Sequence, residues 1–384
     1  MTKEDLSLQR WSGVDVDTDA IESNMRHLVE LCAPSSVWAV VKANGYGHGA
    51  ITVSRAAVAG GASGLAVALV QEAAELRNAG IESRILALSD QPHDQYGMLL
   101  AANAEVMVYR SKSIDALGSV AQQRGVIARV HLKVDTGMRR VGAEPSSAGA
   151  LIARIQQHPN LQLVGVATHF ATADIPGHPG IAQQSDEFAL MTSLVEPETE
   201  IHMANSAAAL LVPESRYSYV RAGIALYGID PSTEVKLDRD VFSAALRWWA
   251  RVSYVKVVEA GEHVSYGWRY QTTQRTRLGT IPVGYADGVP RRWSEVGGVV
   301  LIGGRRRPVV GVVTMDQLVV DLGPEDESDP IDIGDEVVLI GRQGNEHMTV
   351  EEWAERLGTI GYEIVCQISG RVPRRAVGLP AERS

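Results

Sequence analysis

The sequence predicts an α/β fold, a (β/α)8 barrel of the TIM type followed by a mainly β C-terminal domain. Between Val37 and Gly228, short apolar, β-branched runs alternate with amphipathic helical stretches. Eight such alternations favour a closed barrel over an open doubly wound sheet. Beyond Gly228, apolar runs separated by tight turns predict strands without intervening helices. We therefore predict domains at 1–240 and 241–384, and the first ~14 residues are candidates to pack with the second domain.

Eight barrel strands are predicted where apolar runs recur. They lie at 37–42, 64–69, 84–89, 104–109, 128–135, 163–170, 200–205 and 219–226. Helical periodicity fills most of the intervals, and Gly80 ends one such helix over Glu72–Arg77. The segment before the first strand is also helical in pattern, with Asp17 or Thr18 as N-cap. Its apolar face consists of Ile21, Met25, Leu28, Val29 and Cys32.

The second domain is predicted to be built mainly from strands. These strands are expected at 246–258, 262–266, 276–285, 299–302, 308–322 and 336–340. One helix is predicted at 350–357. Its start is marked by a capping box of Thr349 and Glu352, and its end by Gly358.

Composition excludes several functional classes. The formal net charge of −10 disfavours nucleic acid as a partner, and the basic run Arg305–Arg307 is interpreted as a solvated hairpin turn. No apolar run is long enough to span a membrane, and residues 1–9 lack the apolar region of a secretory signal. Cys32 and Cys366 lie far apart, which argues against a disulfide framework and a cysteine-ligated metal site. These features predict a cytoplasmic protein without a metal site or a membrane partner.

The segment AVVKANGYGHG at 39–49 places one lysine between an apolar strand and a glycine-rich loop. A strand buried on both faces has no place for an ammonium group, so Lys42 is expected where the strand opens into the loop. A partly desolvated lysine is a nucleophilic amine that can form a Schiff base. The glycines let backbone N–H groups approach an anion, and Tyr46 offers a hydroxyl for a phosphate. A surface lysine beside an ordinary strand-to-helix turn fits this spacing equally well.

Polar side chains also follow other predicted barrel strands. Chemistry in (β/α)8 barrels occurs at the C-terminal ends of the strands, so these side chains are predicted to face one site. A single strand-end histidine is more often a structural residue, but the recurrence of polar groups at five strand ends favours function. The candidates are Lys42, Lys133, Asp135, Arg140, His169, His202, Asn205, Ser206, Arg221 and Gly223.

These segments resemble the pyridoxal-phosphate-dependent alanine racemases over nearly the whole chain, from Trp11 to Val377. The resemblance rests on segment 39–49, on HLKVDTGMRR at 131–140, on VSYG at 264–267 and on PVGYADG at 282–288. It implies a racemase that interconverts L-alanine and D-alanine and supplies D-alanine for bacterial peptidoglycan. The implied cofactor is pyridoxal 5′-phosphate (PLP).

The resemblance implies a role for each matching residue around PLP. Lys42 would hold the cofactor as a Schiff base, Arg140 would donate to its phenolic oxygen, and His169 would lie close to the ring. Arg221 would face the pyridine nitrogen. Because a guanidinium only donates, this nitrogen would stay unprotonated and the ring would be a weak electron sink, which suits racemisation. The phosphate would be bound by Tyr46, Ser206, Gly223, Ile224 and Tyr362.

Moving a proton between the two faces of an α-carbon requires a base on each face. By resemblance, Tyr266 takes the proton from L-alanine and Lys42 serves D-alanine. Tyr285 and the backbone around Met315 would bind the substrate carboxylate, and Arg140 would also contact the substrate. The resemblance further implies a homodimer in which the second domain of one subunit completes the active site of its partner.

Four positions leave details open. Lys133 matches a position at which many family members carry a carbamylated lysine, and the alternative is an unmodified lysine paired with an acid. Ala222 stands where family members usually have proline. Val312 and Thr314 stand near places where an arginine and a cysteine or serine are common. These departures concern substrate entry, so the preference between alanine and serine is open.

Several other functions are compatible with parts of the pattern. A broader-specificity racemase of serine and alanine differs only in substrate. A PLP-binding protein built on the barrel alone would not need the motifs around Tyr266 and Tyr285. A decarboxylase of the same two-domain plan would place a carboxylate at the pyridine nitrogen, where Arg221 is expected. A barrel phosphatase or aldolase without cofactor would leave both tyrosines unexplained.

Overall fold

The computed structural model describes residues 10–325 and 329–378. The chain forms two compact units. One runs from Asp19 to Ser243, and we call it the barrel unit. The other, the β unit, consists of Arg10–Thr18 and the described residues from Ala244 onward.

An eight-stranded parallel sheet forms the barrel unit. Strand β1 (Ser12–Asp17) belongs to the β unit, so the barrel begins with β2. The barrel strands are β2 (Ser36–Val40), β3 (Gly64–Val67), β4 (Ile85–Ala87), β5 (Glu105–Val108), β6 (Ala128–Lys133), β7 (Leu161–Ala167), β8 (Glu200–His202) and β9 (Tyr219–Ala222). Successive strands pair in parallel and β9 pairs with β2. The ring is completed by 3.0 Å hydrogen bonds from Ser218 N to Ile201 O and from Arg221 N to Ala204 O. The predicted (β/α)8 barrel is confirmed.

One helix precedes the first barrel strand, and helices follow most of the barrel strands. They are α1 (Thr18–Cys32), α2 (Ala50–Ala59), α3 (Val70–Asn78), α4 (Tyr96–Ala101), α5 (Ser111–Arg124), α6 (Ala148–Gln157), α7 (Pro179–Thr192) and α8 (Ser206–Leu211). The predicted apolar face of α1 is buried, with Val29 only partly covered. A core cluster joins side chains from five strands, namely Trp38, Leu86, Met107, Ala167 and Tyr219.

All eight barrel strands end earlier than the sequence pattern predicts. Strand β2 ends at Val40 instead of residue 42, and β9 ends at Ala222 instead of residue 226. Val41 is fully buried although it lies outside the strand. An apolar residue can thus be buried where the chain has already left the hydrogen-bonded ladder, and apolar pattern alone overestimates strand length.

The β unit contains a long mixed sheet. Its further strands are β10 (Leu246–Arg251), β11 (Tyr254–Val258), β12 (His263–Val264), β13 (Tyr270–Gln271), β14 (Thr276–Ile281), β15 (Val299–Ile302), β16 (Arg305–Val310), β17 (Leu318–Gly323), β18 (Glu336–Gln343), β19 (Glu346–Met348) and β20 (Arg374–Val377). The strand order is β11-β14-β17-β16-β15-β18-β10-β1-β20, with β19 on β18 and a separate β12-β13 hairpin. The predicted mainly β character is confirmed, although β1, β13, β19 and β20 were not predicted.

Two of the runs predicted as single strands each form two separate strands in the structure. The predicted run 246–258 divides into β10 and β11, and 308–322 divides into β16 and β17. Gly311, with φ +67, directly follows β16. The left-handed backbone at this glycine turns the chain out of the strand, and an apolar pattern does not register such a turn.

The prediction of a solvated turn at Arg305–Arg307 is wrong. The turn is made by the preceding glycines, and the arginines lie in β16. Arg306 forms ion pairs with Glu346 and Glu352, and the largely buried Arg307 pairs with Asp329. Ion pairs with carboxylates distant in sequence therefore fix this basic run. The local sequence pattern could not indicate these partners.

The predicted C-terminal helix is confirmed as α9 (Val350–Leu357). Thr349 Oγ1 accepts a hydrogen bond from Glu352 N at 3.0 Å, and Gly358 ends the helix in the left-handed conformation. A second helix, α10 (Gly361–Gln367), follows and was not predicted. Within the described part of the chain, no helix combines the length and apolar character needed to cross a bilayer.

Candidate active site

Lys42 begins a tight turn just beyond β2. Ala43, Asn44 and Gly45 have φ values of 52°, 53° and 60°, a left-handed conformation that residues with a side chain rarely adopt. The carboxylate of Glu72 holds this turn, because it accepts hydrogen bonds from Ala43 N at 2.6 Å and from Ala68 N and Leu69 N on the next loop. Lys42 is therefore fixed at the C-terminal edge of the barrel. Glu72 was predicted only as a helical residue.

Three groups converge at the ends of β2, β8 and β9. Ser206 Oγ accepts hydrogen bonds from Gly223 N at 2.8 Å and Ala225 N at 3.3 Å. A Cβ added to Gly223 would stand 2.7 Å from the Tyr46 hydroxyl. Ile224 begins a 3-10 turn, and the first N–H groups of a helical turn have no partner within it. Hydroxyl and backbone donors at one point form a cradle suited to an anion such as a phosphate.

Arg221 is buried and makes several hydrogen bonds. Nη1 lies 2.8 Å from His202 Nδ1, and Nη2 lies 2.8 Å from Thr168 O, 3.1 Å from Met203 O and 3.2 Å from His169 Nδ1. Burial lowers the pKa of Arg221 to about 10, so the guanidinium stays charged at neutral pH. Its Nε donates to no residue among 10–325 and 329–378. The site thus contains a fixed group that can only donate.

Positive charge accumulates around this arginine. Burial, then Arg221 and Arg140, lower the pKa of Lys133 to about 8. Burial and the charges of Arg221, Lys133, Arg140 and Lys42 hold the pKa of His169 well below its usual range. The Lys133 amine has no hydrogen-bonding or ion-pair partner in the described part of the chain. In a protein of net charge −10, such a cluster favours an anionic ligand.

The remaining strand-end candidates have structural roles. Asp135 Oδ1 accepts hydrogen bonds from Gly137 N and Arg139 N, both at 3.0 Å, and so shapes the loop that presents the exposed Arg140. Asn205 Oδ1 caps α8 by accepting from Ala208 N at 3.0 Å. His202 lies behind Arg221 rather than at the surface of the site.

Tyr266, Tyr285 and Met315 belong to the β unit. Tyr285 N and Ala286 N donate to Thr314 O and Met315 O, both at 3.0 Å, so the turn after β14 lies against the segment before β17. Ser265, directly before Tyr266, donates from Oγ to Val312 O at 2.6 Å. The three predicted residues therefore lie on neighbouring segments, and all are exposed, Tyr266 by 72%. Tyr362 lies in the first turn of α10, also in the β unit.

Sequence comparison accounts for both units. Residues 16–231 match the family model described as the alanine racemase N-terminal domain, and residues 245–376 match the alanine racemase C-terminal domain. The chain belongs to the alanine racemase family. The two matched segments cover nearly all of the described chain, so the family accounts for the whole two-domain plan.

Family members with curated names are similar over almost their full length. An alanine racemase of Symbiobacterium thermophilum is 45% identical over 375 residues, covering 96% of this chain and 98% of the relative. One from Desulforamulus reducens is 41% identical over 370 residues, covering 95% and 98%.

Solved structures of the family have the same fold. The alanine racemase of a D-cycloserine-producing Streptomyces lavendulae superposes with a TM-score of 0.91 at 40% identity, covering 97% of this chain and 98% of that one. A histidine racemase of Leuconostoc mesenteroides superposes with a TM-score of 0.88 at 29% identity, covering 96% and 98%. One fold therefore supports racemases of different substrates.

Proposed function

We propose that this chain interconverts L-alanine and D-alanine with PLP bound at Lys42, and that Lys42 and Tyr266 are the two bases. Family membership supports the reaction. The observation that carries the cofactor assignment is the grouping of Lys42, a donor-only Arg221 and an anion cradle at one edge of the barrel.

The barrel residues fit PLP by their chemistry. Tyr46, Ser206, Gly223 and Ile224 would bind the phosphate, because hydroxyl and backbone donors meet there and a side chain on Gly223 would obstruct them. Tyr362 of the β unit would add a second phenol. Arg140 would donate to the phenolic oxygen, with His169 beside the ring. When bound, PLP supplies an electron sink that acidifies the α-proton of the substrate.

Arg221 favours racemisation over other reactions of the same cofactor. A guanidinium has no acceptor and stays charged, so it holds the pyridine nitrogen without giving it a proton. With that nitrogen unprotonated, PLP would be a weaker electron sink, which favours rapid return of a proton to the α-carbon. A decarboxylase arrangement with a carboxylate at this nitrogen does not match Arg221.

Two bases account for inversion at one carbon. An amine and a phenol have similar basicity in water, so in either direction one can take the α-proton from its face while the other returns a proton on the opposite face. Lys42 would hold the proton on one face and Tyr266 on the other. Tyr285 and the Met315 backbone, on segments adjoining that of Tyr266, would orient the substrate carboxylate together with Arg140.

Lys133 is proposed to be carbamylated. The residue is 6% exposed, and a pKa of about 8 leaves a sizeable neutral fraction of the amine at physiological pH. The neutral nitrogen attacks CO2, an N–C bond forms, and one proton leaves to solvent. The carbamate anion would pair with Arg140 and reduce the excess positive charge of the site.

We also propose a homodimer whose partner subunit completes each site. The exposure of Tyr266, Tyr285 and Met315 supports this proposal, since large side chains left open on one subunit are typical of an interface. We further propose that the protein works in the reducing cytosol, which suits its two widely separated cysteines, and that it supplies D-alanine for peptidoglycan.

The decisive experiment is incubation of the purified protein and PLP with L-alanine in heavy water. Racemisation is expected to remove optical rotation while deuterium enters the α-position. Ethylamine and CO2 would indicate a decarboxylase, and unchanged alanine would indicate a PLP carrier. Parallel incubations with serine and histidine test substrate range, since Ala222, Val312 and Thr314 depart from the family pattern. Equal turnover of serine would replace the alanine assignment with the broader racemase.

A further inference from the structure

A line of buried polar groups leads from Arg221 through the barrel to the opposite strand ends. His202 Nδ1 lies 2.8 Å from Arg221 Nη1, and His202 Nε2 lies 3.0 Å from His131 Nδ1. His131 Nε2 lies 2.8 Å from Glu105 Oε2. Both histidines and Glu105 are 0% exposed, and Arg221 is 4% exposed. We call these four residues the relay.

The two ends of the relay determine where its protons lie. Arg221 can only donate, so His202 Nδ1 must accept and the His202 proton lies on Nε2. This proton is donated to His131 Nδ1, so the His131 proton lies on Nε2 and is donated to Glu105. A carboxylate that only accepts completes the sequence. One arrangement of neutral imidazoles therefore satisfies every contact.

A second proton on His202 is disfavoured by the same geometry. It would place an N–H on Nδ1 against the N–H of Arg221. Burial and the Arg221 charge accordingly hold the pKa of His202 well below its usual range. A reversed pair of tautomers creates the same conflict between two donors. His202 is thus a neutral acceptor as long as the far end of the relay accepts.

Glu105 is held as an ionised acceptor. Its carboxylate receives Arg84 Nε at 2.8 Å and Arg84 Nη2 at 2.9 Å, and Arg129 Nε lies 3.4 Å away. Burial raises the pKa of Glu105, but the hydrogen bonds from His131 and Arg84 outweigh it and bring the pKa to about 2. Arg84 also binds Glu200, at 2.7 and 2.9 Å. Glu105, His131 and Glu200 lie close enough to ligate a cation, but Arg84 already supplies the positive charge there.

Packing leaves the imidazoles little freedom. The His202 ring stacks on Tyr219, with centroids 4.3 Å apart, and Tyr219 stacks on Trp38 at 4.7 Å. An added Cβ on Gly165 would collide with His131 Nδ1, so glycine is required beside this ring. The relay is therefore a built feature of the barrel core.

We propose that Glu105 is a positioning residue that acts through His131 and His202 to hold the Arg221 guanidinium in its orientation toward the cofactor. This inference rests on the proposed function, in which Arg221 faces the pyridine nitrogen of PLP. Because Glu105 accepts from His131, the two imidazoles adopt the tautomers in which His202 Nδ1 accepts from Arg221 Nη1. This hydrogen bond holds one edge of Arg221 inside the barrel, and Nε is presented to the site.

The test compares Glu105→Gln with Glu200→Gln in the PLP-loaded enzyme. Both changes remove a carboxylate from Arg84, but only Glu105 touches His131. In Glu105→Gln the amide oxygen is expected to stay on the Oε1 side, where Arg84 Nε and Arg129 Nε approach and cannot accept. The amide N–H then faces His131 Nε2, which must accept, so the tautomers are disturbed. We expect a shifted cofactor absorbance maximum and a fall in kcat of about tenfold, with KM changed less than about twofold. Glu200→Gln is expected to match wild type in all three readings.

Histidine tautomers give a reading that is independent of activity. In protein labelled with 15N-histidine, the signals of His131 and His202 are expected to show Nε2–H tautomers, and the His202 signal is expected not to titrate between about pH 6 and 8. Glu105→Gln is expected to change them. Ordinary titration of His202 in wild type, or Glu105→Gln tautomers like those of wild type, would overturn the relay. If wild type binds no PLP, the proposed function fails, but these signals still decide the relay.

Substitutions at His131 keep the test valid if Glu105→Gln does not fold. A glutamine at this position can accept from His202 through its carbonyl and donate to Glu105 through its amide, so His131→Gln preserves the direction of the relay. His131→Leu cannot. We expect His131→Gln to keep the wild-type absorbance and kcat, and His131→Leu to resemble Glu105→Gln. Equal effects of both substitutions would indicate a packing role and overturn the proposal.

Discussion

The Tyr46 hydroxyl lies 2.7 Å from the position that a Cβ on Gly223 would occupy. This contact joins the loop after β2 to the end of β9, at the point where Ser206 Oγ accepts the N–H of Gly223. Only glycine lets the phenol approach the backbone so closely, and the anion cradle depends on this approach.

Gly223→Ala is expected to weaken PLP binding. The methyl group displaces the Tyr46 hydroxyl, and losing one hydrogen bond to a charged group costs about 1.5–3 kcal/mol, or about ten- to a hundredfold in affinity. Equilibrium titration of the apoprotein with PLP measures this. Gly149→Ala is the control, because nothing lies within 4 Å of a Cβ there. Equal affinities for wild type and Gly223→Ala would remove the phosphate assignment from this cradle.

Lys42→Ala is expected to abolish the covalent link to the cofactor. Wild-type protein with PLP should have a visible absorbance band that borohydride bleaches, and the reduced cofactor should remain on the peptide containing Lys42. The variant should lack this band and lose at least about a hundredfold in activity. Lys112→Ala, on the exposed face of α5, is the matched control. A normal band in Lys42→Ala would assign the link to another amine.

Tyr266→Phe is expected to lose racemisation in both directions while PLP still binds. Each turnover uses both faces of the α-carbon, so removing one base slows L-to-D and D-to-L conversion alike, by about 10²–10⁴-fold. Optical rotation from each enantiomer measures this. Tyr254→Phe, also exposed in the β unit, should be neutral. Near-normal turnover of L-alanine by Tyr266→Phe would contradict the two-base assignment.

Carbamylation of Lys133 is expected to depend on pH. With a pKa of about 8, the amine is protonated and unreactive at lower pH, and it becomes available to CO2 as the pH rises through this value. A 13C carbamate signal from labelled bicarbonate should therefore be stronger at about pH 9 than at about pH 6. It should vanish in Lys133→Gln and persist in Lys256→Gln, an exposed control on β11. A signal that survives in Lys133→Gln would place the carbamate elsewhere.

The folded-state pKa of Lys133 also predicts how its unmodified form affects stability. This pKa lies below the ordinary value of 10.5, so the unfolded chain binds more protons between about pH 8 and 10.5. The contribution of Lys133 to the free energy of unfolding therefore rises with pH across this interval. Chemical denaturation in CO2-free buffer, compared with Lys133→Gln, measures this contribution. A wild-type free energy of unfolding that fell relative to the variant would contradict the burial of this amine.

The local sequence pattern was sufficient to predict the architecture and part of the candidate active site. Alternating apolar and amphipathic stretches predicted the barrel, and Thr349 with Gly358 predicted the limits of α9. Strand ends and the Arg305–Arg307 turn were misjudged. Both depend on partners far along the chain, such as Asp329 for Arg307.

The sequence by itself determined the order of strands and helices, because hydrophobic periodicity and capping act between residues that are near neighbours. It also determined which reactive side chains follow the barrel strands. Only the tertiary structure decided what supports them. Glu72 under the Lys42 turn, Tyr46 against Gly223, and Glu105 behind Arg221 are contacts between distant segments. Closure of the barrel creates these contacts, and local periodicity carries no information about them.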